Sequence, residues 1–595
     1  MISLAAIGLF SCSLFAAVPT SKTEEWLKAF PALEKGGWRT GERVPLWPEG
    51  KIPDFQPQQI GEMTDEAKTN ADWRAAHRMP YLEWFEAPAN PNGGCMILVS
   101  GGGYQRCCDV ELVGFWRQEL TKAGFRCVNL VYRTPRPKGL PVHQSAWEDG
   151  QRAVRLVRAA AKERGFDPEK IGAIGMSAGG HLVCLLAANS LTPAYAKVDA
   201  FDELPCHINW AVAHAPSYNT LNGADGAQAK DDGLAVVPAL SPAFRFDAKT
   251  CPISFHHGGR DPWTPNGSTL TYRELRKRKI PAELHLYADA AHGAHGFGRA
   301  LEFIRQMNFD GRLSGNVEAQ DHRFYPGDTI RTEKEMLWPE GKMPDADICR
   351  PFDPYLVWFI PEHPTTKAIQ VIVPGGGYWM CNFNGEGTPV AHYLNGKGMT
   401  TVVVMYRCPH PQGRPKHLVA WKDAQRAIRL VRSEAPARGL DPDRIGIMGF
   451  SAGGHLTLMT ATNARTSAYE PVDEIDKLPC TVQWAFPIYP AYALTDGAER
   501  PNTTGGNDDS AVLVPEFAFD DATPPMCFVH GDADGWAAMN SVKCWEKLRT
   551  MGIQCDLHTL ATRGHCFQFT AAPGTGSYTW MDRLWDFLDR KGLNR

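Results

Sequence analysis

Two serines stand in the same short setting, Gly175-Met176-Ser177-Ala178-Gly179 and Gly449-Phe450-Ser451-Ala452-Gly453. A glycine two places to either side permits the tight strand-to-helix turn that lifts a serine hydroxyl into the open. A hydroxyl of this kind attacks a carbonyl carbon only when an imidazole takes its proton and a carboxylate orients that imidazole. Downstream of each serine the sequence supplies both. An apolar run leads into His257-Gly258-Gly259-Arg260-Asp261 in one case and His530-Gly531-Asp532-Ala533-Asp534 in the other, so Asp261 and Asp534 are the expected acids. The competing role for either aspartate is to cap the next helix. His565, in Arg563-Gly564-His565-Cys566-Phe567, is the expected second base. Its counterpart is His292 or His295 within Ala291-His292-Gly293-Ala294-His295-Gly296-Phe297. Spacing from the acid matches His292, 31 positions on in both cases, whereas a phenylalanine two positions later favours His295. The local pattern is given precedence here, and His295 is the expected base.

Attack on a carbonyl makes an oxyanion, which backbone N–H groups already aimed at its position stabilise. Gly101-Gly102-Gly103-Tyr104 and Gly375-Gly376-Gly377-Tyr378 follow apolar strand-like runs and lack side chains that would hold a substrate away. The expected donors are Gly102, Gly103 and Ala178 in one set, and Gly376, Gly377 and Ala452 in the other. No Lys-Ser or Lys-Thr follows either glycine run, as a phosphate cradle would require. Trp263 and Trp536 each lie two residues after the acid, where an aromatic face could meet a sugar ring or simply pack on the loop.

The elements that must position these residues are written twice. Ser177 and Ser451 are 274 positions apart, and so are Gly101 and Gly375. Leu46-Trp47-Pro48-Glu49-Gly50-Lys51 recurs as Leu337-Trp338-Pro339-Glu340-Gly341-Lys342 at a spacing of 291, which places a 17-residue insertion between about Asp54 and Tyr81. A repeat of this size is a whole domain, not a solenoid unit. Within each copy, β-branched runs such as Cys95 to Val99 alternate with helical patterns such as Ala146 to Ala161. That alternation predicts an α/β fold, a mostly parallel sheet covered by helices, in each of two tandem domains. The expected limits are 38–310 and 329–595, joined by a polar linker over 311–328.

A chain of 595 residues exceeds one hydrophobic core. Its 43% apolar and 22% charged composition, with a net charge of -4, belongs to a globular protein with no nucleic-acid partner. The basic run Arg273 to Lys279 reads as the wet face of a surface helix. Residues 1–17 are apolar, uncharged and end in small residues, like a signal peptide too short to span a bilayer. They predict a secreted or periplasmic protein, with Cys12 the alternative as a lipid anchor. The cysteines show no zinc spacing, so no metal is expected. Cys107 and Cys206, like Cys381 and Cys480, fall at opposite ends of the sheet and are not expected to pair.

With these residues in view, both halves resemble the α/β-hydrolase group that includes bifunctional feruloyl and acetyl-xylan esterases. The resemblance rests on the Leu-Trp-Pro opening, the Gly-Gly-Gly-Tyr loop, Tyr132-Arg133 and Tyr406-Arg407, and Ser-Ala-Gly-Gly-His at the nucleophile. It implies hydrolysis of acetyl or feruloyl esters on plant polysaccharide such as xylan, through an acyl-enzyme and without a cofactor. It also implies substrate contacts at Tyr104 and Tyr378 and at Glu386 of Glu386-Gly387, a pair replaced by Leu112-Val113 in the first copy. A serine peptidase of the prolyl-oligopeptidase kind shares the catalytic order, but no region is free to form its propeller. The other alternative is that one half only grips polysaccharide.

Overall fold

The computed structural model describes residues 42–48, 50–56, 80–107, 110–221, 239–263, 265–308, 331–349, 353–495, 511–561, 563–567 and 580–594. Residues 1–17 with Cys12, the 311–328 linker and most of the inserted stretch lie outside these.

In the first half, eight strands belong to the main sheet: β1 Glu42–Pro45, β2 Tyr81–Trp84, β3 Cys95–Val99, β4 Arg126–Val131, β5 Ile171–Met176, β6 Trp210–His214, β7 Ile253–Gly258 and β8 Ala282–Tyr287. The second half repeats them as β9 Arg331–Met336, β10 Tyr355–Ile360, β11 Ile369–Val373, β12 Thr400–Met405, β13 Ile445–Phe450, β14 Trp484–Ile488, β15 Met526–Gly531 and β16 Cys555–Leu560. The helices of the first half are α1 Val110–Lys122, α2 Gln144–Arg164, α3 Ala178–Ala188, α4 Asn266–Lys277 and α5 Phe297–Asn308. Those of the second are α6 Thr388–Gly396, α7 Leu418–Glu434, α8 Ala452–Thr462, α9 Met539–Thr550 and α10 Trp580–Arg590. Among the described residues, no helix is long and apolar enough to cross a membrane.

Each half orders its strands 1-2-4-3-5-6-7-8, parallel from the third position on, as the alternating pattern predicts. The central strands β3, β5, β6 and β7 are buried throughout their length because helices cover both faces. On one face Trp116 and Leu120 of α1 pack with Phe303 and Ile304 of α5, while α6 and α10 do the same in the second half. On the other face α2, α3 and α4 share one apolar layer with α7, α8 and α9.

That shared layer exists because the two sheets are one. Strand β8 pairs with β16 antiparallel, His285 opposite His558 and Leu286 opposite Leu557, giving a single 16-stranded sheet. A pseudo-twofold axis normal to the sheet passes through this pair. Symmetry-related bonds flank it: the Ala561 N–H donates to Glu283 Oε1 at 3.0 Å and the Ala288 N–H to Asp556 Oδ1 at 2.7 Å. Arg273 and Arg276 of α4, expected on a wet surface, are buried at this seam and pair with Glu546 and Asp532 of the other half. Asp532 also accepts from Tyr272 Oη at 2.8 Å.

The repeated openings explain themselves in this frame. The Trp47 indole N–H donates to Asp149 Oδ1 at 2.7 Å, and the same carboxylate holds Arg133 at 3.0 Å. Trp338, Asp423 and Arg407 repeat the arrangement. The Leu-Trp-Pro segment is thereby pinned to α2 or α7 and to the end of β4 or β12, a structural role. The cysteines of the described residues are all free thiols, most of them buried.

Candidate active site

Both serines sit at the strand-to-helix turn with positive φ, 56° at Ser177 and 54° at Ser451, a conformation side chains resist and surrounding packing must enforce. The flanking glycines are there for space. A Cβ at Gly453 would lie 2.2 Å from the Val373 carbonyl oxygen, and one at Gly179 2.4 Å from that of Val99. Gly376 and Gly102, with φ near 125°, turn the glycine loop toward the serine, and a Cβ on either would strike backbone. Ala178 and Ala452 are the first residues of α3 and α8, so their N–H groups belong to the positive end of a helix.

The second half joins its three expected residues. Ser451 Oγ donates to His565 Nε2 at 2.7 Å, and His565 Nδ1–H donates to Asp534 Oδ2 at 2.7 Å. Asp534 also accepts from the Trp536 N–H at 2.7 Å and lies 3.2 Å from His530 Nε2. Burial pushes its pKa up, but hydrogen bonds from His530 and His565 outweigh that and hold it well below the usual carboxylate range. It stays charged, as a carboxylate must to orient an imidazole.

In the first half the acid meets His292, not His295. His292 Nδ1 lies 2.7 Å from Asp261 Oδ2, while His295 Nε2 donates to the Ala291 carbonyl at 2.7 Å. The distance between strands sets the loop length and so the spacing from Asp261 to the bonded histidine, whereas Phe297 merely starts α5. Asp261, bonded to His257 and His292, is likewise held low despite its burial. Ser177 Oγ, however, pairs with Ser217 Oγ at 3.1 Å, and among the described residues no hydrogen bond joins it to His292. The position of Ser217 is held by Ala491 in the second half.

Three expected substrate contacts are placed otherwise. Tyr104 and Tyr378 are 1% exposed, with hydroxyls 2.7 Å from His181 Nδ1 and 2.8 Å from His455 Nδ1. Both point inward and support the glycine loop from beneath. Glu386, also 1% exposed, accepts from the Gly375 N–H at 2.8 Å and from Tyr489 Oη at 2.9 Å. It braces the loop against Tyr489, whose ring lies 5.1 Å from that of His565. In the first half Leu112 and Ala215 occupy these two places, so the brace is missing. Trp263 and Trp536 do border the site, half-buried, with ring centres 6.3 Å and 6.4 Å from His292 and His565.

Sequence reasoning missed Ser217, Tyr489, and His257 with His530. It also missed Trp379 and Met380, which are more than half exposed beside the glycine loop. Only Trp379 carried a readable signal, as a large aromatic directly after the Gly-Gly-Gly-Tyr run. The corresponding first-half residues are Gln105 and Arg106.

The chain is similar in sequence to known proteins over part of its length. The chain is 30% identical over 227 residues to an acetylxylan esterase of Xylanibacter ruminicola, covering 36% of this chain and 44% of that one. It is 27% identical over 210 residues to endo-1,4-beta-xylanase B of Butyrivibrio fibrisolvens, covering 34% and 32% respectively. The match therefore spans less than half the length of either relative. Among solved structures, an acetyl ester-xyloside bifunctional hydrolase from Caldicellulosiruptor lactoaceticus aligns at 28% identity with a TM-score of 0.35, over 44% of this chain and 94% of that one. The BD-FAE family model matches residues 86–274 and again residues 358–548, together more than half the sequence. Each half carries one copy of that model, and the chain belongs to the BD-FAE family.

Proposed function

We propose that this chain is a carboxylic ester hydrolase that removes acetyl or feruloyl groups from plant polysaccharide such as xylan. The Ser451–His565–Asp534 relay, two consecutive bonds of 2.7 Å, is the observation that carries the reading. Ser451 Oγ attacks the ester carbonyl as its proton passes to His565 Nε2. The oxyanion meets N–H groups of Gly376, Gly377 and Ala452. Collapse expels the sugar alcohol, which takes the proton from His565, and leaves an acyl group on Ser451. Water, deprotonated by the same imidazole, then releases the acid and restores the serine. Asp534 holds the imidazole tautomer through both steps. Ser177, His292 and Asp261 are assigned the same roles in the first half, with Gly102, Gly103 and Ala178 as donors. The Ser177–Ser217 pair and the missing brace favour slower turnover there. Trp263 and Trp536 are proposed to meet the sugar. The reading draws further support from the acetylxylan esterase relative. An exported location is part of the same proposal.

Alanine variants of the two serines, assayed for acetate release from an aryl acetate and from acetylated xylo-oligosaccharide, test the reading. Ser451→Ala is expected to lower release by about 10⁴-fold at that site, leaving only the slower turnover of the first half. Ser177→Ala is expected to leave most activity in place. Unchanged release in both single variants and in the double variant would overturn the proposal.

A further inference from the structure

On the far side of the second-half nucleophile turn, three side chains converge that take no part in the relay. His417 immediately precedes α7, His455 lies in the first turns of α8, and Glu516 lies in the segment leading to β15. One ligand atom from each falls within 4.8 Å of the others. His455 Nε2 is 3.9 Å from Glu516 Oε1, and the two imidazole rings are 5.6 Å apart. His455 is 2% exposed, and its Nε2 has no hydrogen-bond partner among the described residues. A buried ring nitrogen aimed at a second imidazole and a carboxylate, with nothing to bond, is a costly arrangement that a cation would relieve.

We propose that His417, His455 and Glu516 bind a zinc ion, with a water in the fourth position. Two imidazole nitrogens and one carboxylate oxygen form the donor set of a three-ligand zinc site. The ligand atoms of a tetrahedral zinc stand roughly 3.4 Å apart, so a small shift of the partly exposed Glu516 closes the geometry. Tyr378 supplies the outer support: with Nε2 on the metal, His455 Nδ1–H donates to Tyr378 Oη, 2.8 Å away. Because Tyr378 ends the glycine loop, the ion would fasten that loop to α8 from behind, away from the reacting atoms.

The first half is the internal control. It keeps the two imidazoles, His143 and His181, with ring centres 5.4 Å apart, and His181 Nε2 is also unpartnered. Ala243 stands where the second half has Glu516, so the carboxylate is missing. One ion per chain is expected, not two. The other grouping of donors, Cys527 with Asp556 and His558, does not compete, because Asp556 is already bound to Arg590 and the Ala288 N–H.

The experiment uses the full chain stripped of metal by chelator, titrated with Zn²⁺ alone in equilibrium dialysis and with Co²⁺ alone by visible absorption. One equivalent of zinc and the intense d–d bands of four-coordinate cobalt are expected. Glu516→Ala, which copies the first half, should weaken binding about tenfold or more, as should His417→Ala should the first variant fold poorly. Ala243→Glu should raise the stoichiometry to two. Absence of stoichiometric binding to the wild-type chain, or binding that survives both ligand substitutions, overturns the proposal.

Discussion

Ser217 and Ala491 occupy matching places in the two halves, and only the first offers a hydroxyl to the neighbouring serine. Ser177 pairs with Ser217, whereas Ser451, with Ala491 at the matching position, pairs with His565. A hydrogen bond of this kind is worth about 1 kcal/mol. Ser217→Ala in a Ser451→Ala background is therefore expected to raise first-half ester turnover about two- to tenfold. A burst assay with an aryl acetate reads this directly, and no gain would show that Ser217 does not restrain Ser177. That Ser451, Asp534 and His565 come together could be read from the sequence because each lies in a short motif that geometry demands. Ser217 could not, since it lies 40 residues from Ser177 in no motif at all. Spacing selects the histidine that Asp261 bonds, His292, and local pattern does not, because only spacing reflects distance across the sheet.

At the level of elements, a single π-turn over Phe383–Gly387 opens α6 and carries Glu386 to the glycine loop. Its carboxylate satisfies the Gly375 N–H beside the nucleophile and receives the Tyr489 hydroxyl. Glu386→Leu, the first-half residue, strands a buried N–H at a cost of about 1 to 3 kcal/mol and loosens the loop that must present Gly376 and Gly377. We expect kcat to fall about tenfold or more with KM little changed, and Glu386→Gln, which still accepts from Gly375, to restore much of it. Equal effects of the two substitutions on thermal stability, with kcat unaltered, would reduce Glu386 to a packing residue. The alternation of apolar runs marks Cys95–Val99 to its limits and places a helix over Ala146 to Ala161, two and three residues inside the ends of α2. The role of Glu386 was misjudged as substrate contact, since position along the chain says nothing of whether a carboxylate points outward or beneath a loop.

For the whole molecule, the seam between the halves carries a row of buried imidazoles on neighbouring strands: His214, His256, His285 and His558. Successive ring centres are 4.8, 4.8 and 5.4 Å apart. His285 Nε2–H donates to Glu283 Oε2 at 3.0 Å, so its Nδ1 accepts from His558 Nδ1–H at 3.2 Å, an arrangement that requires a neutral His285. His214, stacked on Trp116, has no hydrogen-bond partner at either nitrogen among the described residues, and burial lowers its pKa to about 3. In the unfolded chain a histidine takes its proton near pH 6.5. The native state refuses it until about pH 3, so the stability contribution is complete above pH 6.5 and is lost as pH falls through that window. Thermal melts between pH 4 and 8 are expected to show this acid limb, to which the other buried histidines also contribute, and His214→Ile, the residue of the second half, to reduce its slope by about one proton. An unaltered limb would assign the acid sensitivity elsewhere. None of this was visible in the sequence, where Arg273 to Lys279 read as a solvated face. A repeat announces two copies but not the edge by which they join.

That join has a consequence for how a long substrate is handled. Strands meeting head to tail at His285 and His558 make β5 and β13 run in opposite directions, so Ser177 and Ser451 open at opposite borders of the sheet. They are separated laterally by seven strand spacings, roughly 34 Å, and further by the length of the strands themselves. One polysaccharide cannot lie across both clefts without doubling back around the protein. On the proposed function, the two halves would then be independent stations on separate molecules, or on distant stretches of one, and their rates should add without passing product from one to the other.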